Sequence, residues 1–343
     1  MENTAFKPET NTNTTNIARP KTMKLYACGG AGTNLVNRFN RSRNKEVAGF
    51  AILQTCFIDT SRSNLDPSIP EQDIYLFEDR DGSGKRRDAN YDVISERHRE
   101  ILNRFKPADI NVIVHSASGG SGSTIAQVLT NELLKRGEKV FTVIIGNTSS
   151  RLEVENTLKT LQGYEKMAAV RNRPVNAFYR ENSADTPRGE VDADVHGTLV
   201  LMSVLFSGQN KEIDSADTKN FLDYQNVTRF EPGLTGLEII SNENQLRPGE
   251  VVFTMATLVD EATPSTPMVP TEYQSVGFLH SALKDSITTQ LPLHFCTIGG
   301  AFAGVVKRLE EKMAMYEENR NSVIIKSITH GRDVGTTDDF MVF

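Results

Sequence analysis

Apolar positions in this chain follow two periods. Short continuous runs at Met23–Cys28, Thr55–Ile58, Ile110–His115, Val140–Ile145 and Pro174–Tyr179 read as buried parallel strands. Between them, apolar residues recur at helical spacing over 35–41 and 125–135, and through Leu158 and Leu161 to about Val170. Strands alternating with helices, with polar turns at the strands' C-terminal ends, predict an α/β doubly wound parallel sheet. Its ligand is expected along that edge. Val191, Val195, Leu199, Met202 and Phe206 recur at helical steps, and Leu201, Val204 and Leu205 fill the other faces. This predicts a helix over 191–207 that is buried nearly all round. Farther on, 236–241, 251–255 and 293–298 read as strands of a smaller α+β lobe, with a helical stretch over about 272–290. A stripe of Phe302, Val305, Val306, Leu309, Met313 and Tyr316 marks a helix of about five turns.

The expected division is a disordered polar arm 1–22, a first lobe 23–190, the central helix 191–207, a second lobe 208–299, and a C-terminal helix and tail 300–343. A chain of 343 residues is long enough for two such lobes. Composition narrows the function. The net charge of −6, without a basic block, gives no footprint for direct nucleic-acid binding. No run approaches the ~18 apolar residues of a membrane span, and no secretory pattern opens the chain, so a cytoplasmic protein is expected. Cys28, Cys56 and Cys296 lie far apart in apolar surroundings and read as buried thiols. The six histidines show no ligand spacing, so no protein-held metal centre is expected.

Two glycine-rich turns carry the candidate chemistry. Gly29-Gly-Ala-Gly-Thr-Asn34 follows the first strand, and Ser116-Ala-Ser-Gly-Gly-Ser-Gly-Ser-Thr124 follows Ile110–His115. A strand, a glycine-and-serine turn and a helix together hold phosphate. Glycines let the backbone approach, their N–H groups point at the anion, and the helix start adds positive partial charge. A tight turn with no ligand is the bland alternative. Gly119 to Ser123 are all glycine or serine, more than a turn requires. Gly30-x-Gly32 followed by Asp59 also fits half of a dinucleotide fingerprint, so a Rossmann-type NAD(P)-dependent oxidoreductase is a second reading. Against it, Leu35 and Val36 stand where the third glycine belongs. The segment Asp79-Arg-Asp-Gly-Ser-Gly-Lys-Arg-Arg87 is not a Walker A loop. It reads either as a solvated charged loop or as one that closes on a terminal phosphate.

The order of these motifs, through Asp59-Thr60 and Gly146-Asn-Thr148 to Asp214-x-x-Asp217, resembles the tubulin/FtsZ GTPase family. The central loop is similar to that family's Gly-Gly-Gly-Thr-Gly-[Ser/Thr]-Gly signature, with Ser118, Ser121 and Thr124 as departures. Gly-Ser-Gly-Ser in this loop, Leu158-Lys-Thr-Leu161, Asp214…Asp217 and Asp-Asp-x-Met-Val near the end resemble the phage-encoded tubulins of phiKZ-like phages.

The resemblance implies GTP or GDP and Mg²⁺ as cofactors. It puts Gly29, Gly30, Ala31, Gly32, Thr33 and Asn34, with Ser118, Gly119, Gly120, Ser121, Gly122 and Ser123, around the phosphates. Asp59 and Thr60 are implied near the cation, and Gly82, Ser83, Gly84 and Lys85 near the γ-phosphate. Gly146, Asn147, Thr148 and Asn156 are implied near the ribose, and Asn182 as a guanine reader. Asp192 stands where a second guanine-reading asparagine is expected, and Arg188 where relatives carry an aromatic residue. A carboxylate can accept from guanine N1–H and N2–H₂ together, and a guanidinium plane can stack on a base.

Glu212, Asp214 and Asp217 take the places of an Asn-x-Asp-x-x-Asp loop that completes the neighbouring subunit's site. Capping of a helix is the structural alternative for Asp214. The function implied is a GTP-hydrolysing filament that positions phage DNA or the phage compartment in the host bacterial cytoplasm. A nucleotide-binding filament with little hydrolysis is a further alternative. The partner implied is a second copy, head to tail. The acidic and apolar tail Asp338, Asp339, Phe340, Met341, Val342 and Phe343 would dock on it.

Overall fold

The computed structural model describes residues 19–42, 47–183, 185–262, 269–283, 286 and 291–322. One ten-stranded sheet runs through all of them, in the order β3-β2-β1-β4-β5-β6-β7-β10-β8-β9. Its first part comprises β1 (Thr22–Cys28), β2 (Ile52–Asp59), β3 (Ile74–Leu76), β4 (Ile110–Ser116), β5 (Val140–Asn147) and β6 (Val175–Asn182). These six are mutually parallel. The second part comprises β7 (Leu234–Ile240), β8 (Val251–Val259), β9 (Tyr273–Phe278) and β10 (Leu293–Gly299). There β7 joins β6 in parallel, and β10 pairs antiparallel with β7 and β8.

Helices cover both faces, which is why the central strands are buried along nearly their whole length. On one face, α1 (Gly29–Ser42) and α5 (Arg188–Leu205) join Leu25, Val112 and Phe141 in a single core. On the other, α2 (Tyr91–Arg104), α3 (Ser121–Lys135), α4 (Arg151–Arg171) and α7 (Ala303–Ser322) pack on Tyr26, Ile113 and Ile144. A short α6 (Ser215–Leu222) follows α5.

The sequence-level strands and most of the helices stand, with four differences. Thr22 belongs to β1, and Lys21 bonds Ser207 O and Ile52 N through its backbone, so the expected arm 1–22 ends earlier. The glycines of both turns lie partly inside helices, because α1 starts at Gly29 and α3 at Ser121. The central helix spans 188–205; its second half, from Thr198, has no exposed residue, whereas Ala193, Asp194 and Gly197 in its first half face outward. The expected helix over 272–290 begins instead with β9, whose alternate residues Ser275 and Gly277 are buried, and the part of it at 284–285 and 287–290 lies outside the described residues. That period of two was short enough to be read as part of a helix. Residues 338–343 lie outside the described residues.

Candidate functional site

Strands β1 and β4 are neighbours, although β2 and β3 intervene in the chain. The connections therefore leave β1 and β4 toward opposite sides, and the crevice between them is where open α/β sheets bind ligands. Both glycine turns open on it. Gly29, at φ +72°, starts α1 against the first turn of α3, and a Cβ on it would lie 2.6 Å from Gly122 Cα. A Cβ on Gly122 would lie 2.8 Å from Cys28 O, and one on Gly32 only 2.2 Å from Val114 O. These glycines let two helix starts meet at backbone contact, which places two helix N-termini side by side at the crevice. Beside them, the Thr33 hydroxyl is buried with no hydrogen-bond partner.

The charged loop lies on the second turn. Gly120 offers α3 no side-chain cap, and the Ser121 N–H donates instead to Ser83 Oγ at 3.0 Å. A serine oxygen thus stands at a helix start where an anion's oxygen is favoured. Ser121 Oγ accepts from Thr60 Oγ1 at 2.7 Å and from Asn90 Nδ2 at 3.0 Å. Asn90 also donates to Gly82 O at 2.9 Å. Asn156 Nδ2 bridges Lys85 O at 2.8 Å and Ser118 O at 3.0 Å, and Lys85 Nζ meets Glu153 Oε1 at 2.7 Å. Ser123 Oγ donates to Gly119 O at 2.7 Å. The loop thus packs on the second glycine turn through Gly82, Ser83 and Lys85, while Arg80, Asp81 and Arg86 stay exposed.

Asp59 is 1 % exposed, and both its oxygens are engaged. Oδ1 accepts from Thr60 N at 2.7 Å and Ser61 N at 3.1 Å, and Oδ2 from Asn64 Nδ2 at 3.0 Å. Burial pushes its carboxyl up, and these hydrogen bonds pull against the shift. Asn64 in turn walls the first turn, since a Cβ on Gly30 would lie 2.9 Å from it. Asp59 shapes the loop through Asn64. No group of three or more His, Cys, Asp and Glu side chains among the described residues is arranged to hold a metal ion.

Farther along the edge, Asn147 and Asn182 end β5 and β6 in register. Asn147 Nδ2 donates to Glu153 Oε1 at 3.3 Å, and its Oδ1 accepts from Ser149 Oγ at 2.7 Å. Gly146 packs on the Tyr179 ring and hydroxyl. Thr148 is buried and accepts from Lys312 Nζ at 2.6 Å. Asn182 Oδ1 is buried without a partner. Arg188 and Asp192 face each other one helical turn apart, at 3.7 Å, and Arg38 of α1 meets the same carboxylate at 2.9 Å. Three inter-strand steps of about 4.8 Å put the end of β6 roughly 14 Å from that of β1. An extended nucleoside triphosphate covers such a span. The glycine cradle and the two orphaned oxygens, on Thr33 and Asn182, fit such a ligand.

Comparison with known proteins agrees. Residues 22–172 match the model of the Tubulin/FtsZ family, GTPase domain. This segment belongs to the tubulin/FtsZ family. A phage tubulin-like protein of Pseudomonas phage PhiPA3 is 26 % identical over 307 residues, covering 88 % of this chain and 94 % of that protein. The protofilament structure of TubZ from bacteriophage PhiKZ superposes with a TM-score of 0.81 at 24 % identity, covering 94 % and 99 % of the two chains. The phage tubulin PhuZ, in a structure with GDP, gives 0.80 at 16 % identity over 94 % and 99 %. The whole chain has the tubulin/FtsZ fold.

Asn182, Arg188, Asp192, Asp214 and Asp217 lie beyond the matched GTPase domain. The first three still join its sheet edge, but the two carboxylates do not. Asp214 caps α6, its Oδ1 accepting from Ala216 N at 2.6 Å and Asp217 N at 3.0 Å. Asp217 Oδ2 accepts from Asp214 N at 2.9 Å, closing a capping box, and Tyr273 donates its hydroxyl to Asp217 Oδ1 at 2.8 Å. The backbone N–H donors hold the Asp214 carboxyl below its ordinary range. Glu212, just ahead, has φ +67° and is exposed. Lys139 at the foot of β5 donates to Ser215 O at 3.2 Å, so α6 sits at the opposite end of the strands from the glycines.

Several residues around this candidate site escaped the sequence reading. Glu153 carried a signal, since it follows Ser150 by three positions in a capping pattern, and Ser150 does cap α4. Asn64, Asn90 and Lys312 carried none, because each reaches the site from an element without a motif, and Arg38 none, because it lies two helical turns beyond the glycines of α1.

Proposed function

We propose that the chain is a GTP-dependent, filament-forming tubulin homologue that hydrolyses GTP at the contact between two subunits. In this reading the filament positions phage DNA or the phage compartment in the cytoplasm of an infected bacterium. One observation carries it: the glycine turns and the Asp214–Asp217 pair stand at opposite ends of the same strands. The seven residues of β1 alone separate those ends by roughly 20 Å. Neither end suffices for hydrolysis, and a head-to-tail neighbour brings one to the other.

Within that contact, the N–H groups of α1 and α3 bind the phosphates, and Thr33 supplies a hydroxyl. Ser83 and Lys85 bring the charged loop to the terminal phosphate. Thr148 and Asn147 border the ribose, Asn182 meets the base, and Arg188 with Asp192 closes that end. Asp214 and Asp217 of the adjoining subunit orient the attacking water and draw its proton density away from oxygen. A Mg²⁺ ion arriving with the nucleotide would offset phosphate charge, and Asp59 and Thr60 are the residues we assign to that part of the site. The tail from Asp338 to Phe343 grips the next subunit, its acidic pair meeting cationic side chains and its apolar tip a groove.

Sedimentation with GTP, GDP or NADH tests the reading. Pelleting that requires GTP, accompanied by phosphate release, supports it. Pelleting without release leaves a structural filament, and NADH binding without pelleting restores the oxidoreductase.

A further inference from the structure

The last described helix reaches the nucleotide site. Phe302, just ahead of α7, meets Tyr179 of β6 edge-on, with ring centroids 5.8 Å apart and planes at 71°. Val305 and Leu309 are buried, but farther out Met313 and Tyr316 are only half-buried, and Glu310, Glu311, Ala314 and Met315 are exposed. The outer half of α7 therefore has little apolar hold. Its polar anchor is Lys312, whose ammonium donates to Thr148 Oγ1 at 2.6 Å.

Thr148 has a single hydroxyl proton, and it points to Glu181 Oε1 at 3.4 Å. Glu181 also accepts from Tyr179 OH at 3.0 Å. The result is a polar chain from Lys312 through Thr148 to Glu181 and Tyr179. It links α7 to the turn after β5 and to β6, which ends in Asn182. Nothing in helix packing calls for it: the lysine's partner lies 164 positions away, in the turn proposed to border the ribose.

We propose that Lys312 is a positioning residue that couples α7 to the nucleotide turn, so that nucleotide binding and the docking of α7's outer half stabilise each other. This rests on the nucleotide reading above. Lys312 touches Thr148 rather than ligand, and the charge-assisted hydrogen bond holds the turn in its ligand-ready position. Coupling of this kind is reciprocal. Whatever affinity the nucleotide gains from an ordered Thr148 returns as tighter docking of the helix that leads to the chain's end.

The test uses the full chain with GDP as probe. Lys312→Met keeps the apolar stem and deletes the charge. It should weaken GDP binding about ten-fold, the size expected for one hydrogen bond to a charged group. Lys312→Arg should recover most of that loss. Thr148→Val should weaken binding similarly, and the double variant no further than either single one. In the wild type, GDP should slow amide exchange over 310–319, and in Lys312→Met it should not. A lysine that only stabilises α7 would change exchange equally with and without GDP. Wild-type binding with α7 exchange indifferent to GDP, or additive losses in the double variant, overturns the coupling and leaves the nucleotide reading intact. A wild type that binds no guanine nucleotide overturns both.

Discussion

Lys21 donates its ammonium to the Ser215 hydroxyl, tying the residue ahead of β1 to the first turn of α6. That contact fixes Asp214 at the foot of the strand whose other end opens into Gly29. A second lysine, Lys139, bonds Ser215 O and the Thr218 hydroxyl from the foot of β5. Two cations at a helix start oppose its dipole, and the Asp214 and Asp217 carboxylates offset them. The pair of carboxylates is thereby held rigidly on the surface that a following subunit would meet.

Gly120→Val should abolish nucleotide binding. Its Cβ would fall 2.1 Å from Ser83 Oγ and within 3 Å of the Arg86 backbone, displacing the loop and the first turn of α3 together. Isothermal titration with GDP reads the outcome, and wild-type affinity in this variant would remove the 118–123 turn from the site.

Asp214→Ala and Asp217→Ala should bind GTP normally yet lose turnover, giving filaments that persist. Each also loses part of a capping box, so the melting temperature should fall slightly. Tyr273→Phe is the control: it frees Asp217 from one hydrogen bond without removing a carboxylate, and turnover should survive. Turnover retained in both alanine variants would reduce the pair to a helix cap.

His115 predicts a pH dependence of stability. It is fully buried on the central strand β4, with Tyr164 OH at 2.8 Å from Nε2, and burial pulls its pKa from 6.5 down to about 4. The unfolded chain takes up a proton below about pH 6.5 and the folded one does not until about pH 4. The stability from this neutral imidazole is therefore complete above pH 6.5 and lost as pH falls to 4, by about 3 kcal/mol in all. Urea unfolding from pH 7.5 to 4.5 should show the slope in wild type and a shallower one in His115→Gln. Parallel curves would place the slope elsewhere.

Much of this was legible beforehand, for reasons visible in particular residues. Buried strands such as Ile110–His115 announce themselves because both faces are covered, so every position is apolar or satisfied. The glycine turns were legible because backbone contact between Gly29 and Gly122 admits no other residue. The edge strand Tyr273–Phe278 was not, since it is half-buried, short and polar at alternate positions. Helix α7's reach to Thr148 was hidden too, because a lysine on a helix looks the same whether it faces water or a threonine across the fold. Asp214 and Asp217 were read as a pair, but only the sheet shows how far they stand from the glycine turns.

Deleting 338–343 should raise the critical concentration for assembly while leaving GDP affinity and the monomer's melting temperature unchanged. Leaving Phe340, Met341 and Phe343 in water forgoes roughly 1.5–3 kcal/mol each, which a tail docked on a neighbour would recover. Pelleting assays and monomer melts distinguish the outcomes. A truncated chain that assembles like the intact one, or whose monomer melts several degrees lower, has no intersubunit tail clamp.

The measurement that bears most directly on the account is GTPase rate per subunit against protein concentration. If Asp214 and Asp217 serve the neighbour's nucleotide, the rate per subunit should be near zero in dilute solution, rise steeply as subunits meet, and level off in the filament. A rate per subunit that stays constant over a hundred-fold dilution would mean that one chain holds a complete site, and the head-to-tail account would be wrong.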